Sequence, residues 1–235
     1  MTRISFQRVK KAALPQGPRR RRLLFGIGRG IELDVDFATQ VKLFLGLYEV
    51  ELNRHLRRLC QPGFNCFDVG AQFGYDALVL AKLGGGRVAS FECEPDTYVK
   101  LVRNVAYNAD LRNRIDLVHG FVGLTTEEQT GKIALDDAAF GGRFFVPDFI
   151  KIDIEGGELD ALMGARRVLE EHRPNLIVET HSRQLEDDCL AFVRSLGYAT
   201  TIIDARKVLP DYRPIEHNRW FAASHGAMVR RETHA

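Results

Sequence analysis

The stretch that constrains this chain most runs Cys66-Phe-Asp-Val-Gly-Ala-Gln-Phe-Gly-Tyr-Asp76. A short apolar run ends at Asp68, Gly70 and Gly74 follow, and Ala77-Leu-Val-Leu-Ala-Lys82 has helical composition. Strand, glycine turn and helix N-terminus in that order build a cradle for a nucleotide-type cofactor, because free N–H groups and the helix dipole converge there. The glycine spacing discriminates between cofactors. A dinucleotide fingerprint, G-x-G-x-x-G, uses its middle glycine to let the backbone approach a pyrophosphate. Gln72 stands at that position, and its side chain would crowd a diphosphate. S-adenosylmethionine has no phosphate; it presents an amino-acid head group and a ribose. Asp68-x-Gly70-x-x-x-Gly74 therefore favours the methionine-derived cofactor, with Asp68, Gly70, Ala71, Gln72 and Gly74 as expected contacts.

A second strand, Arg87-Val-Ala-Ser-Phe-Glu-Cys-Glu94, ends in carboxylates. They fall roughly 20 residues after the glycine turn, where a ribose-binding acid belongs. A carboxylate there accepts charge-assisted hydrogen bonds from both ribose hydroxyls. Glu92 closes the apolar run and is the first candidate; Glu94 is the second.

The rest of the chain alternates strands and helices. Leu23–Gly30 and Ile31–Asp36 read as a hairpin or two short edge strands, and Phe37–Leu59 as one or two helices lidding the site. Thr97–Asn108 is a helix and Ile115–Gly120 a third strand, followed by His119-Gly120-Phe121 where related cradles place an adenine-binding Asp. That contact is left unassigned. Asp148–Asp153 is a buried strand, and Gly156-Gly157 turn the chain into a helix from Glu158. Leu176–His181 is another parallel strand, Glu186–Gly197 an amphipathic helix, and Thr200–Ile203 with Arg219–Ser224 an antiparallel pair. Such alternation gives an α/β layer sandwich with ligands at the C-terminal strand ends. The expected organisation is a basic, flexible arm over residues 1–22, lidding elements over 23–60, the cofactor domain over 61–228 and a frayed tail over 229–235.

Charge is uneven although the net is only +2. No acid precedes Glu32, whereas Arg3, Arg8, Lys10, Lys11, Arg19, Arg20, Arg21 and Arg22 do. Such a block is read as a solvated arm, with a phosphate contact as the alternative; it lacks the interleaved aromatics of base-stacking surfaces. Cys60, Cys66, Cys93 and Cys189 form no C-x-x-C pair, which excludes a zinc ribbon or redox motif. No apolar run reaches membrane-span length and no signal-type core follows the N-terminal charges. The expected location is cytoplasmic.

Seven pieces in order carry a resemblance: Tyr48-Glu49, Asp68-Val-Gly-Ala-x-x-Gly-Tyr75, Phe91-Glu92-x-x-Pro95, Leu101-x-x-Asn104-x-x-x-Asn108, Leu135-Asp-Asp137, Lys151-Ile-Asp-Ile-Glu-Gly-x-Glu158 and Val178-Glu-x-His181. The chain from about Tyr48 to Trp220 resembles the FkbM-type methyltransferases of the class I S-adenosylmethionine-dependent fold. The resemblance implies a Rossmann-like three-layer sandwich, a seven-stranded mostly parallel sheet with one antiparallel strand, and methyl transfer, in most members to a hydroxyl oxygen. Gln72 departs from the usual Asn, and Asp76 from a small hydroxyl residue, which puts a charge near the cofactor head group.

Methyl transfer from a sulfonium is an in-line displacement that needs alignment, exclusion of water and a base for the acceptor's proton. Asp153, Glu155, Glu158, Glu179 and His181 cluster at the ends of the fourth and fifth strands. His181 is the apt base, with Asp153 and Glu179 beside it. Asp153 also serves the cofactor, since it and Glu155 would point to opposite sides of an extended strand. No metal is assigned; a divalent cation on Asp153, Glu179 and His181 is the variant reading. The expected partner is a hydroxylated small molecule or sugar-containing metabolite, with no membrane. The alternatives are an RNA methyltransferase using the basic arm and a binding-only protein of the same fold.

Overall fold

Arg19–Arg22 (β1) and Glu32–Val35 (β2) open the fold as an antiparallel pair, followed by the short helices Val41–Phe44 (α1) and Leu52–Leu59 (α2). The computed structural model describes residues 17–203 and 219–225. Cys66–Val69 (β3), Tyr75–Gly84 (α3), Val88–Glu92 (β4), Pro95–Ala106 (α4), Ala109–Arg112 (α5) and Ile115–His119 (β5) form the first half of the cofactor-type domain. Phe121–Val122 (β6) and Lys132–Ile133 (β7) make a small parallel pair, and Leu135–Phe140 (α6) follows. The second half runs Phe149–Ile152 (β8), Glu158–Met163 (α7), Arg166–Glu171 (α8), Asn175–Thr180 (β9), Arg183–Ser195 (α9), Ala199–Ile203 (β10) and Arg219–Ser224 (β11).

Seven strands form one sheet in the order β10-β11-β9-β8-β3-β4-β5. β11 runs antiparallel to both neighbours and the remaining pairings are parallel. This is the expected sandwich with its one antiparallel strand. The chain leaves β3 towards β4 and β5 on one side, and returns through β8 to β9 on the other. The C-terminal ends of β3, β4 and β8 thus flank the crevice where such sheets bind ligands.

Parallel strands covered on both faces read as continuous apolar runs, and β3, β4, β8 and β9 are buried throughout. One face packs on Leu33, Leu52, Leu56, Leu59, Ala77 and Leu80. The other packs on Ala161, Leu162, Val168, Leu169, Cys189 and Val193. Among the polar residues that break the apolar rule, Asp68 of β3 and Lys151 of β8 are register partners. They therefore share a face.

Two asparagines, Asn104 of α4 and Asn108 at the N-cap of α5, fix the β1–β2 hairpin to the domain. Asn108 accepts from the Glu32 N–H (2.9 Å) and donates to the Glu32 carbonyl (2.8 Å), as a neighbouring strand would. Asn104 accepts from the Asp34 N–H (2.8 Å) and donates to the Phe73 carbonyl (2.7 Å), linking hairpin to glycine turn.

The expectation of a flexible arm over residues 1–22 is corrected for Arg19–Arg22, which are a paired strand. Glu32 supplies the reason: its carboxylate takes Arg20 Nε and Arg22 Nη2 (3.0 Å), while Arg21 lies over the Phe37 ring and Arg20 over Tyr107. The strand expected over Leu23–Gly30 is instead the loop of this hairpin. Residues 1–16 of the arm and the tail 229–235 lie outside the described residues. Among the described residues no helix is long and apolar enough to cross a membrane.

Candidate active site

A cavity of about 1100 Å³ opens at the C-terminal ends of β3, β4 and β8. Gly70, Gln72, Glu92, Glu94 and Asp153 line it, as do Phe121 and Val122 beyond β5. The β1–β2 side adds Asp34, Asp36, Thr39 and Gln40.

The floor is the glycine turn. Gly70 has φ +84°, and a Cβ there would lie 1.9 Å from the Asp153 carbonyl oxygen. Glycine is needed on both counts, left-handed backbone and close approach. The N–H groups of Gly70 and Ala71 both donate to the Phe91 carbonyl (3.0 and 2.9 Å), and the Asp153 N–H donates to the Val69 carbonyl (2.9 Å). The ends of three strands are tied together at this point.

Glu92 is held in place before any ligand arrives. Its Oε2 accepts from the Gln72 N–H and its Oε1 from the Glu94 N–H, each at 2.8 Å. A carboxylate has about four lone-pair sites, so each oxygen keeps capacity for a further donor. Beside it, Phe121 is 44% exposed and forms an apolar wall with Cys93 and Val122. His119 is taken up elsewhere, stacked on Tyr98 and bonded to the Cys93 carbonyl (3.2 Å).

Next to the cavity, sharing Asp153 with it, lies a buried ionic group. Lys151, 1% exposed, places Nζ 2.8 Å from Asp76 Oδ2 and 3.1 Å from Asp153 Oδ2. Burial alone would lower its pKa, but Asp153, Asp76, Glu49 and Asp68 outweigh burial and hold the ammonium charged, its pKa well above the usual. Asp68 has no exposed surface, and no hydrogen-bond partner meets its carboxylate oxygens. Ser90 is its register partner on β4. Burial, reinforced by Asp76, pushes Asp68 up to about 8. Glu49 is likewise pushed up to about 8, first by burial. Its backbone has φ +43°, a region uncommon for a residue with a side chain.

Asp153 behaves oppositely. Burial would raise its pKa, but the charge and hydrogen bond of Lys151 prevail and hold it below the ordinary value. Across from it, His181 Nδ1 bonds Glu158 Oε1 at 2.5 Å, and its Nε2 lies 3.9 Å from Asp153 Oδ1. Burial pulls the imidazole pKa down; the Glu158 hydrogen bond and the charges of Glu179, Glu158 and Asp153 overcome it and leave it raised. Ligand atoms of Asp153, Glu179 and His181 all lie within 4.8 Å of one another.

The structure thus gathers the three residues expected at the transfer site. It lines the cavity with Gly70, Gln72, Glu92 and Asp153 and not with Asp68, Ala71 or Gly74. The direct contact expected of Asp68 is corrected: full burial under the turn puts its carboxylate out of reach. Gly74 instead caps α3 at φ +92° against Leu101. Asp153 and Glu155 were expected on opposite sides; the strand stops at Ile152, and both line the cavity. Asp76, expected near a ligand head group, is neutralised by Lys151. Sequence reasoning gave Lys151 no role, though a lysine inside an apolar strand two residues before an acid is a signal for a buried ion pair.

Residues 127–200 match a family model described as the methyltransferase FkbM domain. The matched segment contains Lys151, Asp153, Glu158, Glu179 and His181. Over that segment the chain is similar to the FkbM-type methyltransferases. A methyltransferase FkbM from Methylobacillus flagellatus KT superposes with a TM-score of 0.55 at 18% identity, over 77% of this chain and 54% of its own. The chain therefore spans about half of that protein's length. TYW2 from M. jannaschii, solved with AdoMet, gives a TM-score of 0.57 at 16% identity over 89% of this chain and 86% of its own. A precorrin-6y C5,15-methyltransferase from Geobacter metallireducens gives 0.55 at 17% identity over 76% and 87%. At such identities these likenesses establish the class I methyltransferase fold. No curated protein sequence matches the chain.

Proposed function

We propose that this FkbM-type chain binds S-adenosylmethionine in the cavity and transfers its methyl group to a hydroxyl oxygen of a small or sugar-containing metabolite. The observation that carries the reading is Glu92, a carboxylate fixed by two backbone N–H groups at the end of β4 with acceptor capacity left for a ribose diol. Phe121, Cys93 and Val122 would hold the adenine, and Gly70 and Gln72, with Asp153 beside them, the amino-acid head group. A volume of about 1100 Å³ is slightly above the usual range for a single small-molecule site, roughly 300–1,000 Å³. Cofactor and acceptor fit together.

Asp153, Glu179 and His181 take charge of the acceptor's hydroxyl. His181 would take the hydroxyl proton as the acceptor oxygen bonds to the methyl carbon, and the cofactor would leave as a neutral thioether. An RNA acceptor is disfavoured by two observations. The rim carries Asp34, Asp36, Asp96 and Glu155 against Lys100 and Arg103, and Arg103 is already paired with Asp34 (3.2 Å). Arg20, Arg21 and Arg22 are engaged by Glu32, Tyr107 and Phe37.

The test is transfer of labelled methyl from the cofactor to a pool of hydroxylated metabolites, with Glu92→Ala in parallel. Label in an alkali-stable ether, lost in the variant, is expected. Label found only in RNA, with binding that weakens steeply as salt rises, would replace this reading by the nucleic-acid one.

A further inference from the structure

We infer that Asp153, Glu179 and His181 form a binding site for one divalent transition-metal cation at the edge of the cavity. The inference deepens the proposed function and rests on it for the role of the ion, though not for the existence of the site. The geometry begins with the spacing. Donor atoms on the three side chains lie within 4.8 Å of one another. Two ligands bonded to one ion at about 2.0–2.2 Å sit about 3–4 Å apart, so small side-chain movements complete the set. His181 Nε2 and Asp153 Oδ1, at 3.9 Å, are too far apart for a hydrogen bond and at the right separation to share an ion.

Two of the three ligands are oriented from behind. Glu158 holds His181 through Nδ1, which leaves Nε2 as the nitrogen facing Asp153. A carboxylate on the distal nitrogen is the arrangement that metal-binding histidines ordinarily have. Lys151 occupies Asp153 Oδ2 (3.1 Å) and leaves Oδ1, the oxygen turned towards the imidazole. An independent observation comes from a different part of the chain. Glu49, held at φ +43°, lies close enough to feel the charges of Asp153 and Glu179, and its Oε2 is buried without a partner. Buried carboxylate oxygens ordinarily have partners. Lys151 already serves Asp76 and Asp153.

Two carboxylates and one imidazole suit Mn²⁺ or Zn²⁺ better than Mg²⁺, which prefers oxygen throughout. Bound here, the cation would take the acceptor hydroxyl as a further ligand and lower its pKa. The proton then goes to solvent instead of to His181, the oxygen–carbon bond forms as the carbon–sulfur bond breaks, and the cation is unchanged.

The purified full chain, stripped with chelator, is titrated with Mn²⁺ and followed by its electron paramagnetic resonance signal; Zn²⁺ and Mg²⁺ serve as competitors. One Mn²⁺ per chain is expected, displaced by Zn²⁺ more readily than by Mg²⁺. Glu179→Gln and His181→Ala should abolish binding. Glu158→Gln should weaken it by about 10–100-fold, the usual effect of removing an orienting partner, with circular dichroism confirming that each variant is folded. Absence of binding up to millimolar Mn²⁺ and Zn²⁺, or undiminished binding in the folded Glu179→Gln and His181→Ala proteins, overturns the inference. S-adenosylhomocysteine binding to the stripped protein is measured separately. If it binds while metals do not, only the metal site falls; if metals bind and it does not, the site stands and the methyl-transfer reading falls.

Discussion

At Gly70 two constraints coincide, a left-handed backbone and a carbonyl 1.9 Å from where a Cβ would stand. Strain and overpacking of that kind together cost about 3 kcal/mol. Gly70→Ala is expected to lower the denaturation midpoint accordingly and to disturb Asp153 through its carbonyl. Asp68 gives a prediction of opposite character. Its folded pKa is about 8 against an ordinary 3.8, so between those values the folded protein holds a proton that the unfolded chain has released. Stability attributable to Asp68 is therefore greatest at low pH and declines as pH rises towards 8. Asp68→Asn should flatten that decline, with a gain of about 1–3 kcal/mol at pH 8 that vanishes near pH 4; chemical denaturation across pH checks it. Lys151→Met should cost about 3–5 kcal/mol, because the carboxylates around it lose their buried cation. The sequence made Glu92 and Asp153 legible, because each closes an apolar strand. It did not make legible that Asp68 faces away from the cavity, since that depends on which face of β3 the neighbours Lys151 and Ser90 occupy.

At the scale of elements, the continuous apolar runs and the glycine turns marked the sheet strands to within a few residues, because strands buried on both faces leave little alternative. The hairpin over residues 19–35 was misplaced for a physical reason. Four arginines are a poor strand by composition, and Glu32, Tyr107, Phe37, Asn104 and Asn108 make that strand favourable. Those partners are distant in sequence. Asn108→Ala removes both bonds to the Glu32 backbone, and loss of such buried bonds costs about 1–3 kcal/mol. Hydrogen exchange should show the Glu32 and Asp34 amides losing protection while β3 and β4 keep theirs. Equal loss across the sheet would mean that the asparagines stabilise the domain as a whole and not the hairpin.

For the molecule as a whole, the strand order puts one cavity at the switch point, and the two halves of the chain furnish its two sides. β3 and β4 contribute the glycine turn and Glu92; β8 and β9 contribute Asp153, Glu179 and His181. The proposed methyl transfer would draw on both sides at once, and the polar residues concentrate at these four strand ends. The central claim is that the cavity holds an adenosyl ligand by its ribose on Glu92. Isothermal titration calorimetry of the full chain with S-adenosylhomocysteine tests it most directly, with Glu92→Ala and Asp68→Asn alongside. The account predicts one site per chain, affinity reduced about 10–100-fold in Glu92→Ala by loss of charge-assisted bonds, and affinity retained in Asp68→Asn. Heat unchanged by Glu92→Ala, or no heat from the wild-type protein, would contradict it.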